Sequence, residues 1–349
     1  MGRIPRRILS IRFRKYHTPP PRLAPALFDS IYSPSRHDQT APLSASRRIG
    51  FAEYGSLSGP ALFLCHGEPG SRYDGARLHA LGAKYGFRVV CPDRPGIGLS
   101  TLQDDHGLQQ RRGRRLVEYP RDIARLARWL GVTRYRVVGV SGGGPSALAC
   151  AAVLAPREVV GVGVVAGMCH PAQINVREAG VYIASVLWWY KHFPGLLRWW
   201  IDTFQVSRVR DDERCHEMLE YAYTWLPEPD RTFMQRADQG LMRASLRAVF
   251  AQGARGAVDD GRALCGPWGF ESAGVRGKVL LFYGAKDIRT PLSFGRYYKR
   301  HLVNADVNLV EFADVGHYNM DEKYEEIIMQ VFDGEISVTQ RAKKDVHKS

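Results

Sequence analysis

Three short segments hold side chains that can do nucleophilic chemistry together: Gly139-Val140-Ser141-Gly142-Gly143, Ala285-Lys286-Asp287-Ile288-Arg289-Thr290-Pro291 and Gly316-His317. A serine hydroxyl is a weak nucleophile near neutral pH and needs a base to take its proton. A histidine serves when a carboxylate fixes its tautomer and stabilises the imidazolium. Ser141, His317 and Asp287 are the expected nucleophile, base and orienting acid. Gly139 and Gly143 lack bulk two residues before and two after Ser141, so the turn can close with the serine in strained backbone angles. The Gly142 N–H lies at a helix N-terminus, where a partial positive field meets negative charge developing on an attacked carbonyl. A second donor is expected from the backbone N–H of Glu68, in His66-Gly67-Glu68-Pro69-Gly70. A Glu68 carboxylate facing the pocket would oppose that charge, so the side chain is expected to turn outward, toward Arg72. His66 and Gly67 would hold this loop. Asp93, opening the Gly/Pro-rich turn 93–100, would cap backbone N–H groups. Asp314 rivals Asp287 as orienter, and Asp287 is preferred on its motif position.

The flanking patterns supply elements to position these groups. Arg48–Gly55 alternates like an edge strand. Ala61–Gly67, Phe87–Asp93, Tyr135–Val140, Val159–Met168 and Lys278–Gly284 are apolar runs of the kind buried in parallel sheets, and Asp306–Phe312 adds a further strand. Helical patterns separate them at Arg72–Tyr85, Arg121–Leu130, after Pro145, after Pro291 and near Asp321–Phe332. Repeated βαβ units predict an α/β, doubly wound, mostly parallel sheet with right-handed crossovers. Alternation is interrupted over 171–274 by helices rich in Trp and Tyr, an insertion that would sit above the strand C-termini, where such sheets bind ligands. The domain reading is a basic, Pro-rich tail or linker over 1–45, a core over 46–170 and 275–334, a helical cap over 171–274, and a basic tail over 335–349. Trp188, Trp189, Trp199, Trp200 and Trp225 would line an acyl or aromatic pocket, fill the cap's own core, or dock weakly on a membrane surface.

The net charge of +14 over 349 residues resides mainly in the tails. Residues 1–28 carry seven Lys/Arg and no acid, and residues 29–340 carry a net charge of only +4. This argues against nucleic acid as a partner, and the basic run Gln109–Arg115 is read as a solvated turn. The six cysteines show neither C-x-x-C nor metal-ligand spacing and read as small buried hydrophobes of a reducing compartment. The longest apolar run, Ala179–Tyr190, is too short to cross a bilayer, so no stable membrane insertion is expected. The expected location is cytoplasmic, with a mitochondrial alternative because the N-terminus is Arg-rich and acid-free. Neither oligomeric state nor cleavage of the N-terminus is readable.

The motifs HGEPGSR, DRPGIGLS, GVSGGGP, GAKDIRTP and VGH occur in that order between Arg47 and Phe332. With them the chain resembles the α/β-hydrolase fold superfamily, in its cap-bearing esterase and epoxide-hydrolase-like branch. The resemblance implies a helical cap inserted after the sixth strand and a Ser141-Asp287-His317 triad in the family's chain order. Asp259–Phe270 also resembles a stretch that precedes the acid-bearing strand in poorly characterised members. Epoxide hydrolases and haloalkane dehalogenases of this branch use Asp as nucleophile, whereas this chain has Ser141, which favours acyl chemistry. The expectation is a serine hydrolase acting on a small-molecule carboxylic ester, thioester or lactone through an acyl-enzyme, with neither metal nor organic cofactor. The alternatives are an acyltransferase, C–C bond hydrolase or peptidase on the same triad, and a ligand-binding member without catalysis.

Overall fold

The computed structural model describes residues 27–103, 114–173 and 176–337, with backbone alone over 176–182. Eight strands form one sheet: β1 Gln39–Pro42, β2 Arg48–Gly55, β3 Ala61–Cys65, β4 Arg88–Pro92, β5 Tyr135–Val140, β6 Val159–Val165, β7 Gly277–Gly284 and β8 Ala305–Phe312. Their order across the sheet is β1-β2-β4-β3-β5-β6-β7-β8. The β1–β2 and β2–β4 pairs are antiparallel and all later pairs are parallel. The doubly wound, mostly parallel sheet expected from the sequence is therefore present.

Successive residues of the central strands face opposite sides of the sheet, and each side has its own core. Phe63, Val137, Val164 and Leu281 pack on one face with Ile123, Leu148 and Phe294 of the helices Tyr119–Trp129, Gly144–Val153 and Leu292–His301. Leu62, Val138, Val165 and Phe282 pack on the other with Tyr324, Ile328 and Phe332, from the helix Tyr324–Phe332. A strand covered on both faces must be apolar at nearly every position, which is why β3 and β6 read as unbroken hydrophobic runs and β5 is interrupted only by Arg136.

Four expectations are corrected here. Residues 27–45 are not all linker, because β1 pairs with β2 and Phe28 and His37 are buried. Consequently β2 is not an edge strand: β1 covers its outer edge, and six of its eight positions are buried. β6 is the sixth strand only because β1 opens the sheet. At the other end Ile336, expected in the basic tail, is buried against the second core. Residues 1–26 and 338–349, which carry the N-terminal targeting reading and most of the C-terminal tail, lie outside the described residues, as do 109–113 of the basic run. Within that run Arg114 is not solvated: it forms a buried ion pair with Asp260.

Between β6 and β7 the described chain is helical, from Pro171–Gln173 to Ser272–Gly274. Its own small core consists of Cys215, Leu219, Tyr223, Leu226 and Met234. None of the five tryptophans named above is in it.

Candidate functional site

Ser141 sits where β5 ends and the helix Gly144–Val153 is about to begin, with a positive φ of 54°. A non-glycine residue holds that angle only when its surroundings over-determine it. Here the close approach of two backbones does so. A Cβ at Gly143 would lie 2.1 Å from the Cys65 carbonyl oxygen, and one at Gly139 would lie 2.2 Å from that of Gly143.

His317 follows β8 and Asp287 follows β7, so both project from the same end of the sheet as Ser141. His317 Nε2 lies 3.1 Å from Ser141 Oγ, and His317 Nδ1 lies 2.8 Å from Asp287 Oδ2. Asp287 also accepts from the Arg289 N–H at 2.7 Å, the Thr290 N–H at 2.9 Å and the Thr290 hydroxyl at 2.7 Å. Burial pushes the Asp287 carboxyl up, but the His317 charge and these donors outweigh burial and hold it below the usual carboxylate range. Asp314 is almost fully exposed and pairs with Lys286 at 2.9 Å, away from His317.

The loop that carries Glu68 is held from behind by a buried arginine. Arg94 donates to the His66 carbonyl at 2.5 Å and the Gly67 carbonyl at 2.7 Å, and pairs with Asp260 at 2.7 Å. His66 donates from Nδ1 to the Gly67 carbonyl at 3.0 Å, while its Nε2 accepts from the Arg94 N–H at 3.3 Å. Burial and the Arg94 charge push its pKa down to about 3, so His66 is neutral and structural. Asp93 accepts from the N–H groups of Arg72 at 2.7 Å and Leu99 at 3.0 Å, the cap expected of it. It also pairs with the Arg72 guanidinium at 3.0 Å.

Glu68 does not turn outward toward Arg72. Arg72 is engaged by Asp93, Asp38 and the His37 carbonyl, and Glu68 lies inward, with Oε2 3.5 Å from Arg94 Nη2. The Tyr190 hydroxyl donates to Glu68 Oε1 at 3.3 Å. Burial, then the neighbouring Asp260 carboxylate, push Glu68 well above the usual range, while Arg94 and Arg114 hold Asp260 ionised despite its burial. Glu68 is thus the protonated partner, and a neutral carboxyl does not oppose an oxyanion. Its backbone nitrogen lies close to Gly142, where a Cβ would come within 3.2 Å of it.

Ser141, Gly142, Glu68 and His317 border a cavity of about 390 Å³. Its cap wall is mostly aliphatic and thioether, with Ile183, Val186, Leu187, Leu219, Leu226, Met234 and Met242, and includes the rings of Tyr190 and Tyr223 and the hydroxyl of Ser245. The tryptophans of 188–225 are absent from it. They stand on the surface, Trp225 at 73% exposure and Trp199 at 57%.

Five positions that sequence reasoning did not single out complete the site: Thr290, Arg94, Asp260, Tyr190 and Asp230. Asp230, from the cap helix Asp230–Arg236, is 1% exposed. Its carboxylate accepts from the backbone N–H groups of His317 at 2.9 Å, Tyr318 at 2.7 Å and Asn319 at 3.1 Å. The cap therefore helps to build the loop that carries the histidine.

Comparison with known proteins agrees with this architecture. The chain is 33% identical over 114 residues to haloalkane dehalogenase 2 of Mycobacterium bovis, a match covering 33% of this chain and 37% of that protein. It is 35% identical over 97 residues to the bifunctional esterase/perhydrolase DCH of Acinetobacter calcoaceticus, covering 28% and 32%. The chain thus spans only about a third of the length of these curated relatives. The crystal structure of an esterase from Rhodococcus superposes with a TM-score of 0.57 at 16% identity, over 85% of this chain and 98% of the other, a likeness of fold. A model of the α/β hydrolase fold matches residues 60–324, and the chain belongs to the α/β-hydrolase fold family.

Proposed function

We propose that the protein is a serine hydrolase that cleaves carboxylic esters, thioesters or lactones of small apolar acyl groups. The observation that carries this reading is the continuous chain Ser141–His317–Asp287, at 3.1 and 2.8 Å, opening into a predominantly apolar cavity. In this mechanism Ser141 Oγ attacks the acyl carbon while His317 Nε2 takes its proton. Asp287, itself fixed by Thr290, keeps the histidine proton on Nδ1 and faces the imidazolium. The backbone N–H groups of Glu68 and Gly142 stabilise the tetrahedral oxyanion. His317 returns the proton to the leaving oxygen or sulfur, and the acyl group stays on Ser141. Water, deprotonated by His317, then attacks the acyl-enzyme, releases the acid and restores Ser141.

The mostly aliphatic cap wall suits acyl chains, and burial of each methylene adds about 0.8 kcal/mol. The test is fluorophosphonate labelling of wild type, Ser141→Ala and His317→Ala, followed by p-nitrophenyl esters of increasing chain length. Labelling that requires both residues, with kcat/KM rising from acetate through medium chains, is the expected result. Folded wild-type protein that does not label would overturn the reading.

A further inference from the structure

The helix Pro194–Phe204 is a physical anomaly. It holds Leu196, Leu197, Trp199, Trp200, Ile201 and Phe204 within eleven residues, yet none of its residues is buried. A helix this apolar ordinarily faces a core. Its neighbour Val176–His192 is two-sided: Ile183, Val186, Leu187 and Tyr190, at helical spacing, line the cavity, while Trp188 and Trp189 are 49% and 38% exposed.

The exposed rings form a continuous band. Trp188 and Trp189 both contact Phe193, with ring centroids 5.2 and 5.6 Å apart. Leu196 lies one turn from Phe193 and one turn from Trp199 and Trp200, and both of these contact Phe204 at 5.8 and 6.4 Å. At 150–250 Å² per ring, the exposed fractions of the six aromatics amount to roughly 400–700 Å². That equals or exceeds the largest apolar patch of an ordinary soluble monomer.

Composition and charge identify what covers it. Trp is the side chain best suited to the boundary between hydrocarbon and water, having a large apolar ring and one N–H donor. Between residues 183 and 210 the chain carries Lys191, Arg198, Arg208 and Arg210, all exposed, against the single acid Asp202; the exposed acids Asp211, Asp212 and Glu213 follow directly, Asp212 being paired with Arg243 and Arg247. Asp202 is occupied by Arg198 and the Ala254 N–H. A second copy of this chain would bring the same positive charges together, whereas an anionic lipid surface complements them.

We propose that the outer face of the helices Val176–His192 and Pro194–Phe204 docks on the headgroup region of an anionic phospholipid bilayer. The rings then lie at the interface without spanning it, and the opposite face of the first helix forms the cavity wall. The protein meets lipid through the same element that shapes its pocket. No described helix is long and apolar enough to cross a membrane, so the association is peripheral.

The test uses the full chain and reads binding rather than turnover, so it is independent of the ester-hydrolase reading. Co-sedimentation is measured with vesicles of phosphatidylcholine alone and of phosphatidylcholine mixed equally with phosphatidylglycerol. Ring depth is read from tryptophan quenching by brominated acyl chains. Wild type is expected to bind the mixed vesicles preferentially and to be quenched. The pair Trp199→Ser with Trp200→Ser should weaken partitioning about tenfold or more, with melting temperature and soluble-ester turnover retained, and Trp199→Phe with Trp200→Phe should restore much of it. No binding by wild type overturns the proposal. So does binding that survives the serine pair, which would assign attachment to the basic tails. A wild-type dimer that the serine pair dissociates, without lipid binding, would assign the band to a second copy instead.

Discussion

Replacing Asp230 by Asn isolates what the cap contributes to the histidine loop. The two oxygens of Asp230 divide three backbone donors between them: Oδ1 takes Tyr318 and Asn319, and Oδ2 takes His317. The amide oxygen of Asn can keep the first two, but its NH2 then faces the His317 N–H, donor against donor. The loss is one charge-assisted hydrogen bond inside a buried site, about 1.5–3 kcal/mol. Carried wholly into placement of the imidazole, that corresponds to about 10- to 150-fold in rate. Part of it will appear as lowered stability, so a fall in kcat of about tenfold is expected, with KM little changed because Asp230 does not border the cavity. The assay is steady-state turnover of a soluble p-nitrophenyl ester, paired with the fluorophosphonate labelling rate and a thermal melt. Labelling should slow in proportion to kcat. A variant with a lower melting temperature but kcat within twofold of wild type would refute the argument, leaving the Asn319 side chain, which accepts from the Gly316 N–H at 2.7 Å, as the support that suffices.

Other substitutions separate neighbouring roles. Asp287→Asn should lower kcat on the order of 10⁴-fold by losing the correct imidazole tautomer, whereas Asp314→Asn should leave kcat unchanged; equal losses would show that the orienting acid is misassigned. Glu68 is protonated in the fold but ionises above about 4.5 when unfolded, so the native state binds the extra proton and stability falls as pH rises through that window. Glu68→Gln should therefore remove part of this fall while keeping activity within about tenfold of wild type, as read from urea midpoints at pH 5 and pH 8; a midpoint lowered equally at both would sink the idea. His66 has the opposite sign: its pKa falls from 6.5 to about 3 on folding, so its contribution is complete above pH 6.5 and is lost as pH falls. About 2 kcal/mol is gone by pH 5. In NMR spectra the His66 ring should show no titration between pH 7 and 4.5 in folded protein, and a midpoint near 6 would contradict its burial.

The reach of the sequence had a physical limit. Ser141, Asp287 and His317 were legible because each lies in a turn directly after an apolar strand, and strands covered on both faces advertise themselves by composition. Asp230 was not legible. It is 87 residues from His317, and its partners are backbone N–H groups, which every residue but proline possesses. The orientation of Glu68 depends on Arg94 and on Asp260, which is 166 residues from Arg94, a buried charge balance that local pattern does not encode. The tryptophans were visible as apolar residues at helical spacing. A helix apolar on most of its surface does not reveal which side faces protein. β2 looked like an edge strand because the strand that covers it, Gln-Thr-Ala-Pro, is too short and mixed to register as one.

The three bonds from Asp230, together with the Tyr190 hydroxyl on Glu68, bear on how such caps can be exchanged between related proteins. A lid that merely rested on the sheet could be grafted, shortened or deleted while the chemistry beneath it survived. This one supplies supports to both loops that face the serine, one from each of two helices. A cap transplanted from a relative would have to bring a carboxylate and a hydroxyl to the same two points, or the recipient would fold with its histidine and oxyanion donors misplaced. Substrate range and turnover are therefore coupled in this architecture: changes in cap sequence that widen or narrow the pocket are constrained by what those two helices also hold in place.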